Sequence, residues 1–184
     1  MNIFLKWQQN RNSKGKYLLF LVIGALLFPT MIPTVLVILL PRMDKIIGIS
    51  SFYNGLINIV VGIIAIILGG FIAFSTIIAQ IKFASGTPFP MIPTKKLLVI
   101  GPFKYCRNPM TLGTILAYSG IVVMVGSYTS LLSVVLFTMI LLTYIKLVEE
   151  KELELRFGQE YLDYKIDTPF IIPMRIVSRK KAGE

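Results

Sequence analysis

Seven of the nine acidic residues crowd into one stretch: Glu149, Glu150, Glu152, Glu154, Glu160, Asp163 and Asp167. Glu149 and Glu150 stand where a long apolar run gives out. Ionisable groups at that depth are costly to keep and often do chemistry. A plainer reading is a solvated helix end, with Lys146 pairing to Glu150 four residues on. Upstream lies a second unusual segment, Gly101-Pro102-Phe103-Lys104-Tyr105-Cys106-Arg107-Asn108-Pro109-Met110. Pro109 fits the first position of a helix. Free amides at that N-terminus, beside Arg107, suit an anionic group such as a carboxylate. As a plainer alternative, Arg107 anchors the chain by reaching up to lipid headgroups.

The composition restricts what these residues can do. There is no histidine and a single cysteine, Cys106. That excludes imidazole acid–base chemistry, Ser-His-Asp and Cys-His pairs, and His-ligated zinc or haem; no metal site is expected. A disulfide within one chain is excluded as well. Nineteen Lys and Arg against nine acids give +10. No polar domain is large enough to turn that charge into a nucleic-acid partner; basic loops facing anionic lipid account for it.

The elements that must position the two segments are apolar. Hydrophobic residues make up 55% of the 184, the mean hydropathy is +0.75, and the excess is gathered into unbroken runs. The bilayer is the natural solvent for such runs. The first, Tyr17 to Leu40, is long enough to cross and should be kinked by Pro29 and Pro33. The second, Leu56 to Ile81, carries Gly69 and Ala73 at the small-xxx-small spacing that lets helices approach closely. Leu112 to Val125 and Leu131 to Leu147 flank the polar turn Gly126-Ser127-Tyr128-Thr129-Ser130 and predict a tight hairpin. Gly113, Ala117 and Gly120 form a thin stripe on its first arm, fit for a neighbouring helix or a cofactor.

Positive residues fix the orientation. Lys6, Arg11, Lys14 and Lys16 precede the first run, and Lys82, Lys95, Lys96, Lys104 and Arg107 follow the second. Both termini and the 82–111 loop are therefore expected in the cytoplasm. The predicted fold is all-α: a polytopic transmembrane bundle of about four spans, with a helical hairpin and a cytosolic C-terminal helix. Leu153 and Phe157, four apart, give that extension a packing side. Ser85 to Pro93 reads as an extended strap. One membrane domain, 1–184, is expected: scaffold spans over 1–81, the chemically interesting region over 82–173, and a basic tail over 174–184.

The two polar segments resemble one family. Gly101 to Gly113 is similar to the G-P-Y-R-Y-x-R-[HN]-P-M-Y-x-G stretch of the isoprenylcysteine carboxyl methyltransferase-like and phospholipid methyltransferase family. Glu149 to Pro173, EEKELELRFGQEYLDYKIDTPFIIP, resembles that family's E-E-x-x-L-x-x-x-F-G-x-x-Y-x-x-Y ending. The likeness covers about residues 82 to 173. It implies an integral membrane enzyme that uses S-adenosylmethionine to methylate a lipophilic small molecule or lipid-anchored substrate at the cytoplasmic face. Carried over by position, Tyr105, Asn108 and Pro109 line the cofactor side with Arg107. Glu149 and Glu150 hold the cofactor's polar groups, and Phe157, Gly158, Tyr161 and Tyr164 shape a lid. Arg107, Glu149 and Glu150 become the candidate catalytic residues. Asn108 stands where many relatives have His, Thr111 where Tyr is common, and Phe170 where many have Arg. Asn108 keeps hydrogen-bonding capacity but cannot titrate near neutrality.

Two rival expectations follow from the same residues. A membrane reductase of related helical site would bind NADPH, though no further basic pocket for a 2′-phosphate is visible. A non-catalytic scaffold would explain the spans and the Arg179-Lys180-Lys181 cluster against lipid, but leaves the paired polar segments without a purpose.

Overall fold

The computed structural model describes residues 27–84 and 97–173, and every regular element among them is helical. The basic N-terminal tail, the start of the first run, the strap from Ser85 to Pro93 and the Arg179-Lys180-Lys181 cluster lie outside the described residues. Helix α1 covers 27–47, past the Leu40 end expected from the apolar run. Pro29 falls in a wide turn, Leu27–Met31, and Pro33 is followed by another, Val35–Leu39. A proline lacks the amide for the regular ladder and clashes with the carbonyl four residues back, which favours such irregular turns.

Helix α2 (Leu56–Ala84) runs antiparallel to α3 (Pro109–Val125). Beyond a turn at Gly126, α4 is one continuous helix, Tyr128–Phe157, much longer than the arm read from the sequence. Two helices are long and apolar enough to cross a membrane, Leu56–Phe83 and Tyr128–Phe157. Their most apolar windows are only 17% and 11% buried, the reverse of a soluble core helix. Phe71, at 72% exposed, and Ile140, at 70%, face outward, as lipid-facing side chains do. α3 is apolar but shorter.

Glycine makes the α2–α3 contact possible. A Cβ added at Gly69 would meet Ala117 N and Gly113 O at 2.5 Å, and one at Gly113 would meet Gly69 O at 2.6 Å and Ala73 N at 2.7 Å. Gly120 repeats the pattern against Gly62 O at 2.7 Å. The small-residue stripe of the hairpin is thus filled by a neighbouring helix. Without a hydrophobic driving force inside lipid, such close packing supplies much of the adhesion. Beside it, Leu36, Tyr118, Val122 and Val134 form the buried core between α1, α3 and α4.

The far end of the bundle is closed by Asp44, which is 4% exposed. Its Oδ2 accepts from the Ser127 hydroxyl at 2.5 Å and its Oδ1 from the Thr129 amide at 3.1 Å. The carboxylate therefore caps the positive N-terminus of α4 from another helix. The Thr129 and Ser130 hydroxyls donate to Leu40 O and Leu36 O, and Asn58 Nδ2 to Val123 O at 2.7 Å. Both α1 and α2 are thereby held to the hairpin.

Two outcomes are expected. Gly113→Val forces a side chain against backbone that cannot yield, and overpacking of this kind costs about 3 kcal/mol. Thermal unfolding in detergent should show it as a Tm loss of roughly 6–12 °C, while Gly70→Ala, with nothing within 4 Å of its Cβ, should be harmless. The Ser127 hydroxyl holds the Asp44 carboxyl below its ordinary range, with burial opposing. Its contribution is therefore complete above the unfolded carboxyl pKa of about 3.9 and is lost as pH falls through the lowered folded value. The Tm gap between wild type and Asp44→Asn should be constant from pH 5 to 8 and close in stronger acid.

Candidate functional site

At the opposite end, the chain entering α3 is a polar corner. Gly101–Lys104 makes one tight turn, and Pro109 opens α3 with Asn108 before it. As the first helical residue, Pro109 loses nothing by lacking an amide. The corner is pinned by the segment that follows α5 (Gln159–Asp167). The Arg107 amide donates to Pro169 O at 2.9 Å, Asn108 Nδ2 to Phe170 O at 3.0 Å, and the Tyr164 hydroxyl to Phe103 O at 2.7 Å. Asn108 is thus a brace between two backbone segments.

α4 reaches this corner with an altered phase. Within it, Ile145–Glu149 forms a wide turn in which the Glu150 amide donates to Ile145 O, five residues back. Such bulges recur at functional sites because they re-aim side chains without ending the helix. Glu150 is consequently only 3% exposed and points at the corner. Lys146 is exposed, and Glu150 takes its cations from elsewhere.

The charge network runs across three elements. Arg107 Nη1 lies 3.0 Å from Glu150 Oε1, and Lys165 Nζ lies 2.9 Å from Glu150 Oε2 and 2.7 Å from Glu154 Oε1. The Arg107 contact is close but poorly aligned: Arg107 Nε and Nη1 and Glu150 Oε1 are buried without a hydrogen bond. Directional bonding capacity of both signs is left at one point, beneath the Arg107–Phe170 stack of 5.7 Å. Lys165 was not singled out in the sequence; its signal is its place next to Tyr164, on the same helix as Tyr161.

Tyr161 and Tyr164 are 1% and 7% exposed, their rings 6.1 Å apart edge to face. Burial, and then the Glu150 charge, pushes the Tyr161 hydroxyl well up; burial does the same for Tyr164. Both are neutral donors at physiological pH. Burial likewise raises the Cys106 thiol, so this cysteine packs and does not act as a thiolate. Hydrogen bonding to Glu154 and Glu150 raises the Lys165 ammonium and keeps it charged.

Not every candidate converges. Glu149 feels the charges of Glu152, Arg156 and Glu150, and the ion pair that Arg107 makes among the described residues is with Glu150. Tyr105 is 69% exposed. Phe157 lies under Arg156 at 4.8 Å, at the far tip of α4. There Gly158, at φ 55° and ψ −129°, turns the chain back in a conformation that only glycine adopts readily. The residues brought together are Arg107, Asn108, Pro109, Glu150, Tyr161 and Tyr164, joined by Lys165.

A helical bundle with lipid-facing spans and an Arg–Glu–Lys network around one buried carboxylate defines the class: a membrane protein with a polar site at the mouth of its helices. Residues 57–160, more than half of the chain, match the phospholipid methyltransferase family, and the chain belongs to it. The match begins in α2, earlier than the paired polar segments, and ends one residue before Tyr161. Neither a curated protein nor a solved structure matches the chain.

A stability test separates the charge network from its surroundings. Glu150→Gln should cost about 3–5 kcal/mol, because it leaves Arg107 buried without compensation. The double replacement Arg107→Met with Glu150→Met should regain most of that loss, since apolar groups of similar volume often replace a buried pair without penalty. Chemical unfolding of the three proteins in detergent measures both effects.

Proposed function

We propose that this chain is an S-adenosylmethionine-dependent methyltransferase acting on a lipophilic or membrane-associated acceptor at the cytoplasmic face. One observation carries the reading: buried, unaligned bonding capacity of both signs on Arg107 and Glu150, at the mouth of a lipid-facing bundle. An amino-acid group, with its carboxylate and ammonium, is complementary to that pair. The cofactor carries such a group, so the residues fit it. Bound there, it supplies a methyl group already activated by a sulfonium.

The protein's own task is positioning and exclusion of water. The Arg107 guanidinium orients a carboxylate through its free Nε donor. Glu150 and Glu149 attract cationic groups. Tyr161 and Tyr164, neutral and buried, wall the site and hold α5 over the corner. Asn108 and Pro109 set the start of α3; Tyr105 and Phe157 stand at the margins, in reach of a larger ligand.

A carboxylate acceptor is already ionised and requires no base. An ammonium acceptor must lose a proton, which Glu149 or Glu150 would take. Lys82, Lys104 and Arg107 at this end, against Arg42 and Lys45 beside Asp44 at the other, support a cytoplasmic site and a four-span bundle. In that arrangement residues 1–81 serve as scaffold and 82–173 carry the chemistry.

S-adenosylmethionine at about 100 times its Kd should raise the Tm of the detergent-purified chain by roughly 5–10 °C, whereas NADPH should leave it unchanged. Incubation with methyl-labelled cofactor and native membrane extract should move label into organic-soluble product. Glu149→Gln with Glu150→Gln should abolish both effects. Stabilisation by NADPH instead, or label found only in water-soluble metabolites, would refute the reading.

A further inference from the structure

Lys165 occupies a position that the proposed function requires for something else. Its Nζ sits 2.9 Å from Glu150 Oε2, while Arg107 approaches Oε1, so both carboxylate oxygens face protein cations. Glu150 is 3% exposed, so a ligand ammonium that pairs with it takes the place of a protein cation. The two cations are not equivalent. Arg107 has a side chain 10% exposed, on a corner tied through its own backbone amide to Pro169. Lys165 is 35% exposed and already has a second acceptor, Glu154 Oε1 at 2.7 Å. It can leave Glu150 without becoming an unpaired charge. Arg107 has no such alternative among the contacts described.

We infer that Lys165 is a built-in competitor for Glu150, an ammonium on the lid helix that yields to a ligand ammonium and retreats onto Glu154. The inference rests on the cofactor reading above and adds to it a gate on the same carboxylate. Exchange of one ammonium for another leaves the buried charge balance unchanged, so the site need not bear an uncompensated carboxylate while the cofactor enters. α5 stays attached throughout, through Glu154 and through the Tyr164 bond to Phe103. Affinity for ammonium-bearing ligands is therefore held below what Glu150 alone would give.

The inference predicts opposite signs for two changes to one ion pair. Lys165→Met removes the competitor and should lower the S-adenosylmethionine Kd about three- to tenfold. Glu154→Gln removes the retreat, holds Lys165 on Glu150, and should raise Kd by a comparable factor. If Lys165–Glu154 were merely a structural brace, both changes would loosen α5 and move Kd the same way. Methylthioadenosine, which lacks the ammonium, should bind wild type and Lys165→Met alike. Calorimetry on the detergent-purified full chain measures all of these, with Lys165→Gln as a second, polar variant. Wild-type binding with equal or same-signed changes in the two variants overturns the gate and leaves the cofactor reading standing. No binding to wild type overturns both.

Discussion

A carboxylate removed from water must be met by positive charge or give up its own, and Glu150 is almost wholly removed. Its two cations come from segments far apart in the chain: Arg107 before α3, and Lys165 on the helix that folds back after Gly158. Burying that single charge obliges α3, α4 and α5 to meet at one point. The backbone bonds from Arg107 to Pro169 and from Asn108 to Phe170 then fix the corner around it. Tyr161 and Tyr164 follow, because Tyr161 packs beside the carboxylate and Tyr164 reaches Phe103.

The lipid-facing part of the molecule is organised by a different rule. Inside a bilayer apolar side chains gain nothing by leaving lipid, so the helices adhere where glycine allows backbones to touch. Gly62, Gly69, Gly113 and Gly120 bring α2 against α3 along most of the length of α3. Asp44 locks the end remote from the site by capping α4 in place of a local residue. The frame is tied by hydrogen bonds to Asp44 at one end and by ion pairs around Glu150 at the other.

Much of this was legible in the residues alone. Apolar runs located α2 and the hairpin, Pro109 marked the start of α3, and the polar turn at Gly126 fell where it was expected. The Gly69–Ala73 pair announced a close helix contact, which the structure fills with α3. What could not be read depends on distance in the chain. Nothing local marks Asp44 as the cap of a helix beginning at Tyr128, since the partners are over eighty residues apart. Spacing offered Lys146 as a partner for Glu150, whereas the family resemblance set Arg107 beside the twin glutamates; the fold pairs Arg107 with Glu150 and adds Lys165. Glu149 and Glu150 looked equivalent in sequence, yet they differ by a rotation that only the helix's actual pitch determines.

That pitch has a consequence for how the molecule tolerates change. The wide turn at Ile145–Glu149 works as a gear between two lengths of one rod: the lipid-facing portion keeps one angular setting and the chemical portion another. Each residue of a regular helix advances by about 100°. Winding the turn regularly with the same number of residues would swing every side chain beyond it by about that angle, carrying Glu150 off its cations. Additions and losses in the hydrophobic portion are therefore felt as misalignment at the carboxylate, even when the thickness of bilayer spanned barely changes.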